Sequence, residues 1–173
     1  RYAYEHVLPQ LHELIPNYQP SVLWADGDWE ESTTTWRSQQ FLAWLYNQSP
    51  VRNQIVVNDR WGSGTRFKHG GFYTPKDQSE IDFEDQAWEV SRGMGASSGY
   101  NRAEDAGDYS SSQALILHLI DKVSRGGNLL LDIGPDAHGK IPPIMQERLL
   151  NIGKWLEING EAIYGSRRWR ISH

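Results

Sequence analysis

The sequence predicts an α/β protein built of parallel (β/α) units that form about half of a TIM-like barrel, incomplete by itself. Three observations carry that prediction. Apolar runs of strand type alternate with segments of helical period along the 173 residues. The strand-type runs are continuous and rich in Val, Ile and Leu, as in parallel strands covered on both faces. Three of the runs end in polar clusters, and in parallel α/β folds the working residues sit at the C-terminal ends of strands.

The elements follow in order. Residues 4–18 read as an amphipathic helix, with Val7, Leu8, Leu11, Leu14, Ile15 and Tyr18 at three- and four-residue spacing, and Pro20 stops it. Ser21–Trp24 is a short apolar strand. Trp36 to Tyr46 is a second helix, with Phe41, Trp44 and Leu45 on one side and an Asn-Gln-Ser-Pro stop after it. Gln54–Asn58 (QIVVN) is the second strand. Residues 60–86 are polar and rich in glycine without any period, and read as one long loop of the kind that is functional or disordered. Trp88–Arg92 is the third strand. Ser110-Ser111-Ser112-Gln113 fits a capping box and opens a helix to about Val123, which Gly126-Gly127 ends. Asn128–Ile133 (NLLLDI) is the clearest buried strand. Pro142-Pro143 starts the last helix, where a missing N–H costs nothing, and Met145, Leu149, Ile152 and Leu156 form its stripe. Four strand–helix units make half of an eight-stranded barrel. The chain begins at Arg1 without Met or a signal peptide and reads as a piece of something longer, with residues 165–173 as the start of a connection to an absent domain.

Composition narrows the function. A formal net charge of −5 argues against a sequence-independent nucleic-acid binder. No segment approaches the roughly 18 apolar residues of a membrane span, so no membrane partner is expected. The absence of cysteine excludes disulfides, thiolate metal sites and a cysteine nucleophile, and leaves the redox compartment open. The six histidines show no close pair at ligand spacing, so no metal is expected, and with no Gly-x-Gly-x-x-Gly or P-loop pattern no cofactor is expected either. Eight Trp and eight Tyr stand against four Phe, a bias toward flat rings with a polar edge that sugar clefts and ordinary cores both use.

The polar strand ends carry the candidate chemistry. Asp26 follows Val-Leu-Trp directly, Gly27 permits a close approach, and Trp24 projects to the same face two residues earlier. One reading is an Asp-Gly turn. The other is a carboxylate beside an indole, placed to attack an anomeric carbon. A calcium loop fails, because Glu31 stands where an EF-hand needs Gly. Asp28, Glu30 and Glu31 suit the start of a loop and helix. In Asn58-Asp59-Arg60-Trp61, Arg60 has the donors to grip sugar hydroxyls or a carboxylate, with Asp59 as its structural partner or as a second acid. His69, in the long loop, is within reach of a cleft.

Taken together, SVLWADGDWE, IVVNDRWG, HGGFYTP, WEVSRGMG and GGNLLLDIGPDAHGKIPPIMQERLLNIGKWLEINGEAIYG resemble the α-L-fucosidases of glycoside hydrolase family 29, from about Leu8 to Trp169. The resemblance implies a retaining exo-glycosidase that releases terminal α-L-fucose from glycans through a covalent glycosyl-enzyme. It implies that residues 1–173 are the C-terminal half of the (β/α)-barrel catalytic domain. It places the nucleophile on Asp26 and sugar contacts on Trp24 and Arg60, and makes His69 the start of the loop that carries the acid/base. It implies fucosylated oligosaccharides or glycoconjugates as substrates, and a periplasmic, secreted or lysosomal setting.

Two departures from the family pattern matter. The family's Thr-Pro-Glu triplet, whose Glu is the acid/base, is here Thr74-Pro75-Lys76. A lysine, with its pKa of about 10.4, does not fit the paired-carboxylate scheme. Glu80 and Asp77 are the candidate replacements, and Glu84 is near. The family's N-terminal half is missing from this chain, and a half-barrel exposes sheet edges and an apolar inner face. A homo-oligomer or a complementary half is therefore expected. The alternatives are a fucose-binding pseudoenzyme and an inactive structural fragment.

Overall fold

The computed structural model describes residues 1–75 and 86–169. The chain divides into two compact units, the first built on residues 1–74 with 86 and 87, the second on residues 88–169.

The first unit opens on a π-helical turn, Ala3–Val7, that runs into helix α1, Leu8–Tyr18. Pro9 explains the change of register. It has no N–H to continue an α ladder, and the Leu8 N–H bonds back to the Ala3 carbonyl instead. Leu8 and Ile15 are buried while Tyr18 is 79% exposed, so the apolar stripe is narrower than its spacing predicts. Gln19 ends α1 in the left-handed region, its N–H on the Ile15 carbonyl. Strand β1 (Val22–Leu23) follows, then the short helix α2 (Thr33–Trp36), helix α3 (Ser38–Asn47) and strand β2 (Val56–Val57). Ser32 caps α2 through its side chain, which accepts from the Thr35 N–H.

The two strands pair in parallel, Val22 with Val56 and Leu23 with Val57. One face of this ladder packs inward. Val57 joins Leu8, Ile15, Phe41, Leu45, Val51, Ile55 and Trp61 in one core, with Leu23 against it. Phe41 stacks on Trp61 at 5.6 Å between ring centroids. The other face is open, with Val22 55% and Val56 40% exposed. The expectation of strands covered on both faces therefore fails here: the sequence carries apolar residues on both sides, but the described chain covers only one.

The second unit holds strand β3 (Glu89–Gly93), helix α4 (Ser112–Ser124), strand β4 (Asn128–Asp132) and helix α5 (Pro143–Asn159), with a 3-10 turn at Gly160–Ala162. β3 and β4 pair in parallel over five residues, from Glu89 with Asn128 to Gly93 with Asp132. Among the described residues the four strands thus form two separate two-stranded ladders. Met94, Leu115 and Met145 form the centre of the second core, and Leu131, Leu149 and Ile152 pack on it. On the opposite face of β4 Leu130 stays exposed.

The cap of α4 sits one residue later than the capping box predicts. Ser111 is the N-cap and accepts from the Ala114 N–H. Ser110 is instead tied down by two arginines, its hydroxyl by Arg92 and its carbonyl by Arg148. Pro143 opens α5, as its sequence position predicts.

Gly127, at the turn from α4 into β4, has a packing reason. The buried Trp88 indole lies against its α-carbon, and an added Cβ would run into the ring. Gly127→Ala is expected to lower stability by about 1–3 kcal/mol through this overpacking, read as a lower denaturant midpoint at unchanged slope.

Candidate functional site

The site grows from the paired ends of β1 and β2. Two residues after β1, Ala25 is held by the Asn58 side chain: the Ala25 N–H donates to Asn58 Oδ1 at 2.8 Å, and Asn58 Nδ2 donates to the Ala25 carbonyl at 2.7 Å. Asn58 is fully buried, so both its amide groups depend on these bonds. Two residues on, the Gly27 N–H donates to the Arg60 carbonyl at 3.0 Å and the Gly27 carbonyl accepts from Trp36 Nε1 at 3.0 Å. The backbone is thereby fixed on both sides of Asp26.

The Asp26 side chain is 53% exposed. Its Oδ1 accepts from Arg60 Nη1 at 3.1 Å and from Trp29 Nε1 at 3.3 Å. Its Oδ2 has no hydrogen-bond partner among the described residues. Among the described residues, one oxygen is held and the other is open. The Trp24 ring lies 5.1 Å from the Arg60 guanidinium carbon, and the Trp24 Nε1 atom is buried without a partner among the described residues. Trp24, Asp26, Gly27, Trp36, Arg60 and Trp61 line one cleft of about 360 Å³, within the ~300–1,000 Å³ typical of small-ligand sites.

Arg60 is the most fully engaged side chain of the site. Its Nε donates to Thr74 Oγ1 at 2.7 Å and its Nη2 to the Thr74 carbonyl at 3.1 Å. Asp59 is fully buried and points elsewhere. It accepts from the Phe67 N–H at 2.9 Å, the Thr74 N–H at 3.1 Å and the Thr74 hydroxyl at 2.6 Å. Asp59 is a scaffold carboxylate, with no hydrogen bond to Arg60.

His69 lines a different cleft, of about 610 Å³, with Tyr46, Thr65, Gly70 and Gly71. Burial pushes the Tyr46 hydroxyl above its ordinary pKa, against a lowering by the Val57 backbone. The glycines let the loop lie on the end of β2: the Gly71 N–H donates to the Val57 carbonyl at 2.8 Å, and a Cβ at Gly70 would press on the Asn58 carbonyl at 3.0 Å. Of the residues singled out in the sequence, Trp24, Asp26 and Arg60 thus come together, and His69 lies in the second cleft. Lys76, Asp77, Glu80 and Glu84 lie outside the described residues. The polar cluster at the end of β4, Asp132 to Asp136, closes in a turn in which Asp136 Oδ1 accepts from the backbone N–H groups of His138 and Lys140. Among the described residues no cluster of three His, Asp or Glu side chains could hold a metal ion, and no helix is long and apolar enough to cross a membrane.

Four contributors escape sequence reading: Asn58, Thr74, Trp36 and Trp29. Asn58 carries a usable signal, as an amide at the last position of a buried strand must find polar partners. Thr74 and the two tryptophans carry none, since their partners are set by the fold of the loops.

A family model described as alpha-L-fucosidase matches residues 1–161. The alpha-L-fucosidase of Dictyostelium discoideum is 46% identical over 173 residues, covering 99% of this chain and 38% of that protein. The tissue alpha-L-fucosidase of Bos taurus is 47% identical over 166 residues, covering 95% of this chain and 36% of the relative. Among solved structures, Thermotoga maritima alpha-fucosidase in complex with a mechanism based inhibitor superposes with a TM-score of 0.80 at 40% identity, over 98% of this chain and 36% of that one. The chain spans little more than a third of the length of these relatives. With its matched residues running through both units and including every residue of the Asp26 cleft, the chain belongs to the alpha-L-fucosidase family.

Proposed function

We propose that this chain is the C-terminal half of the (β/α)-barrel catalytic domain of a retaining exo-α-L-fucosidase. The observation that carries the reading is the Asp26 carboxylate. It stands at the C-terminal end of a parallel strand, one oxygen held by Arg60 and Trp29, the other open to a cleft walled by Trp24. A nucleophile needs this arrangement: fixed in direction, yet with a lone pair free for the anomeric carbon.

On this reading Asp26 Oδ2 attacks the anomeric carbon of a terminal α-L-fucose. The glycosidic C–O bond breaks, and the leaving oxygen takes a proton from an acid supplied by another segment. Water then attacks the anomeric carbon of the glycosyl-enzyme, passes its proton to that group now acting as base, and breaks the bond from that carbon to Oδ2, releasing Asp26 as a carboxylate. Asp77 and Glu80 remain the proposed acids. Trp24 offers a face for the C–H side of the sugar, and Arg60 a charged donor for a hydroxyl. The open faces of the two ladders, Val22 with Val56 and separately Leu130, support the idea that the chain works with a complementary half, in the same gene product or in a second copy.

Lys76 favours a second reading, a fucose-binding protein without turnover. The two separate cleanly in the whole gene product that carries this chain. Asp26→Gly is expected to lower hydrolysis of an aryl α-L-fucoside on the order of 10³-fold or more while fucose still binds in calorimetry. Equal rates for the variant and the parent would sink the nucleophile assignment. A parent that binds fucose and never turns over would favour the second reading.

Arg60→Lys tests the cleft by another route. Lysine keeps the charge and loses the fork that meets Thr74 and Asp26 together. The loss of charge-assisted bonds worth about 1.5–3 kcal/mol predicts a kcat/KM lower by roughly 10- to 100-fold, measured on the same substrate.

A further inference from the structure

We propose that Thr74, oriented by the buried Asp59 carboxylate, is a positioning residue that fixes the plane of the Arg60 guanidinium and keeps the second oxygen of Asp26 uncovered. The inference rests on the reading of Asp26 and Arg60 given above, and adds to it what sets their geometry.

An arginine side chain has several rotatable bonds, and its planar head can meet a carboxylate by more than one edge. Left alone beside Asp26, the guanidinium would favour a bidentate pair, one N–H on each carboxylate oxygen. That pairing would occupy both oxygens, including the one an attack requires. The observed pairing is single: Nη1 meets only Oδ1, at 3.1 Å. The reason lies on the opposite edge of the guanidinium. Nε and Nη2, which share that edge, are both taken by one residue. Thr74 Oγ1 accepts from Nε at 2.7 Å and the Thr74 carbonyl from Nη2 at 3.1 Å. A threonine here supplies the two acceptors that a carboxylate would supply, without adding negative charge. The Trp24 ring at 5.1 Å limits motion out of the plane.

A hydroxyl can donate as well as accept, so its direction has to be set. Asp59 sets it. Its Oδ1 lies 2.6 Å from Thr74 Oγ1 and 3.1 Å from the Thr74 N–H. A carboxylate oxygen only accepts, so the Thr74 proton points to Asp59 and the Oγ1 lone pairs remain for Arg60. Asp59 is shielded from solvent, and its other oxygen is held by the Phe67 N–H at 2.9 Å. The Thr74 carbonyl is steadied as well, by Arg66 Nη2 at 2.7 Å. The order of action is Asp59, Thr74, Arg60, Asp26.

The test is covalent trapping of the whole gene product with a mechanism-based fluoro-fucoside, following both the rate of labelling and the final stoichiometry. Thr74→Val keeps the shape and removes the hydroxyl. It is expected to label to the same stoichiometry per folded site at a rate about tenfold lower. Thr74→Ser, which keeps the hydroxyl, restores most of the rate. In an Arg60→Lys background Thr74→Val adds no further loss, because the group it positions is gone. A purely structural role would lower the labelled fraction and leave the rate per labelled site unchanged. Thr74→Ala serves the same comparison if the valine variant does not fold. Labelling of Thr74→Val at the parent rate, or an equal effect in both backgrounds, would overturn the proposal alone. Arg60→Lys labelling at the parent rate would overturn the reading of the cleft, and the proposal with it.

Discussion

The buried carboxylate of Asp59 is the contact on which the rest of the site depends. A fully buried acid is costly unless its oxygens are satisfied, and here three donors converge on it. Two come from Thr74 and one from Phe67, so a single strand-end side chain ties down two points of the following loop. One of them, Phe67, has a positive φ of 57°, a conformation that costs a bulky residue about 1–2 kcal/mol and persists only where neighbours hold it. The bond from its N–H to Asp59 is that hold. Asp59 therefore converts a polar, irregular loop into a fixed frame around Arg60.

Asn58, the residue before it, does the complementary work on the other strand. Its two bonds to Ala25 lock the end of β1 to the end of β2, where the regular ladder has only two residue pairs. A ladder that short fixes little by itself. The paired amide extends it by one rung at the point where the chain turns out to present Asp26. In Asn58-Asp59-Arg60 three successive residues thus face three different duties: Asn58 holds the neighbouring strand, Asp59 holds the loop, and Arg60 faces the cleft.

The order of elements was legible in the sequence because hydrophobic period is a strong local signal. Phe41 and Leu45 on α3 and Met145 on α5 take the buried places their spacing predicts, and the apolar run of β4 forms the strand expected of it. Details decided by long-range contacts were not. Ser111 caps α4 in place of Ser110 because Arg92 and Arg148 hold Ser110. The open faces at Val22, Val56 and Leu130 look buried in sequence because the pattern records what covers a strand in the folded molecule, not which segment supplies the cover. In the site, Trp24, Asp26 and Arg60 stood out as candidates because they fall at strand ends, the resemblance chose between their readings, and the structure brings the three together in one cleft. Whether Asp59 was a second acid or a structural group stayed open in the sequence, since that depends on Thr74, fifteen residues away.

On the proposed mechanism Asp26 forms the covalent bond to fucose. The most direct measurement is digestion and mass mapping of the whole gene product after trapping with a mechanism-based fluoro-fucoside. One fluoro-fucosyl group per chain is expected, on the peptide that contains Asp26, with its fragment ions placing the label on that residue. A label on any other carboxylate, or turnover of the reagent without a covalent intermediate, would contradict it.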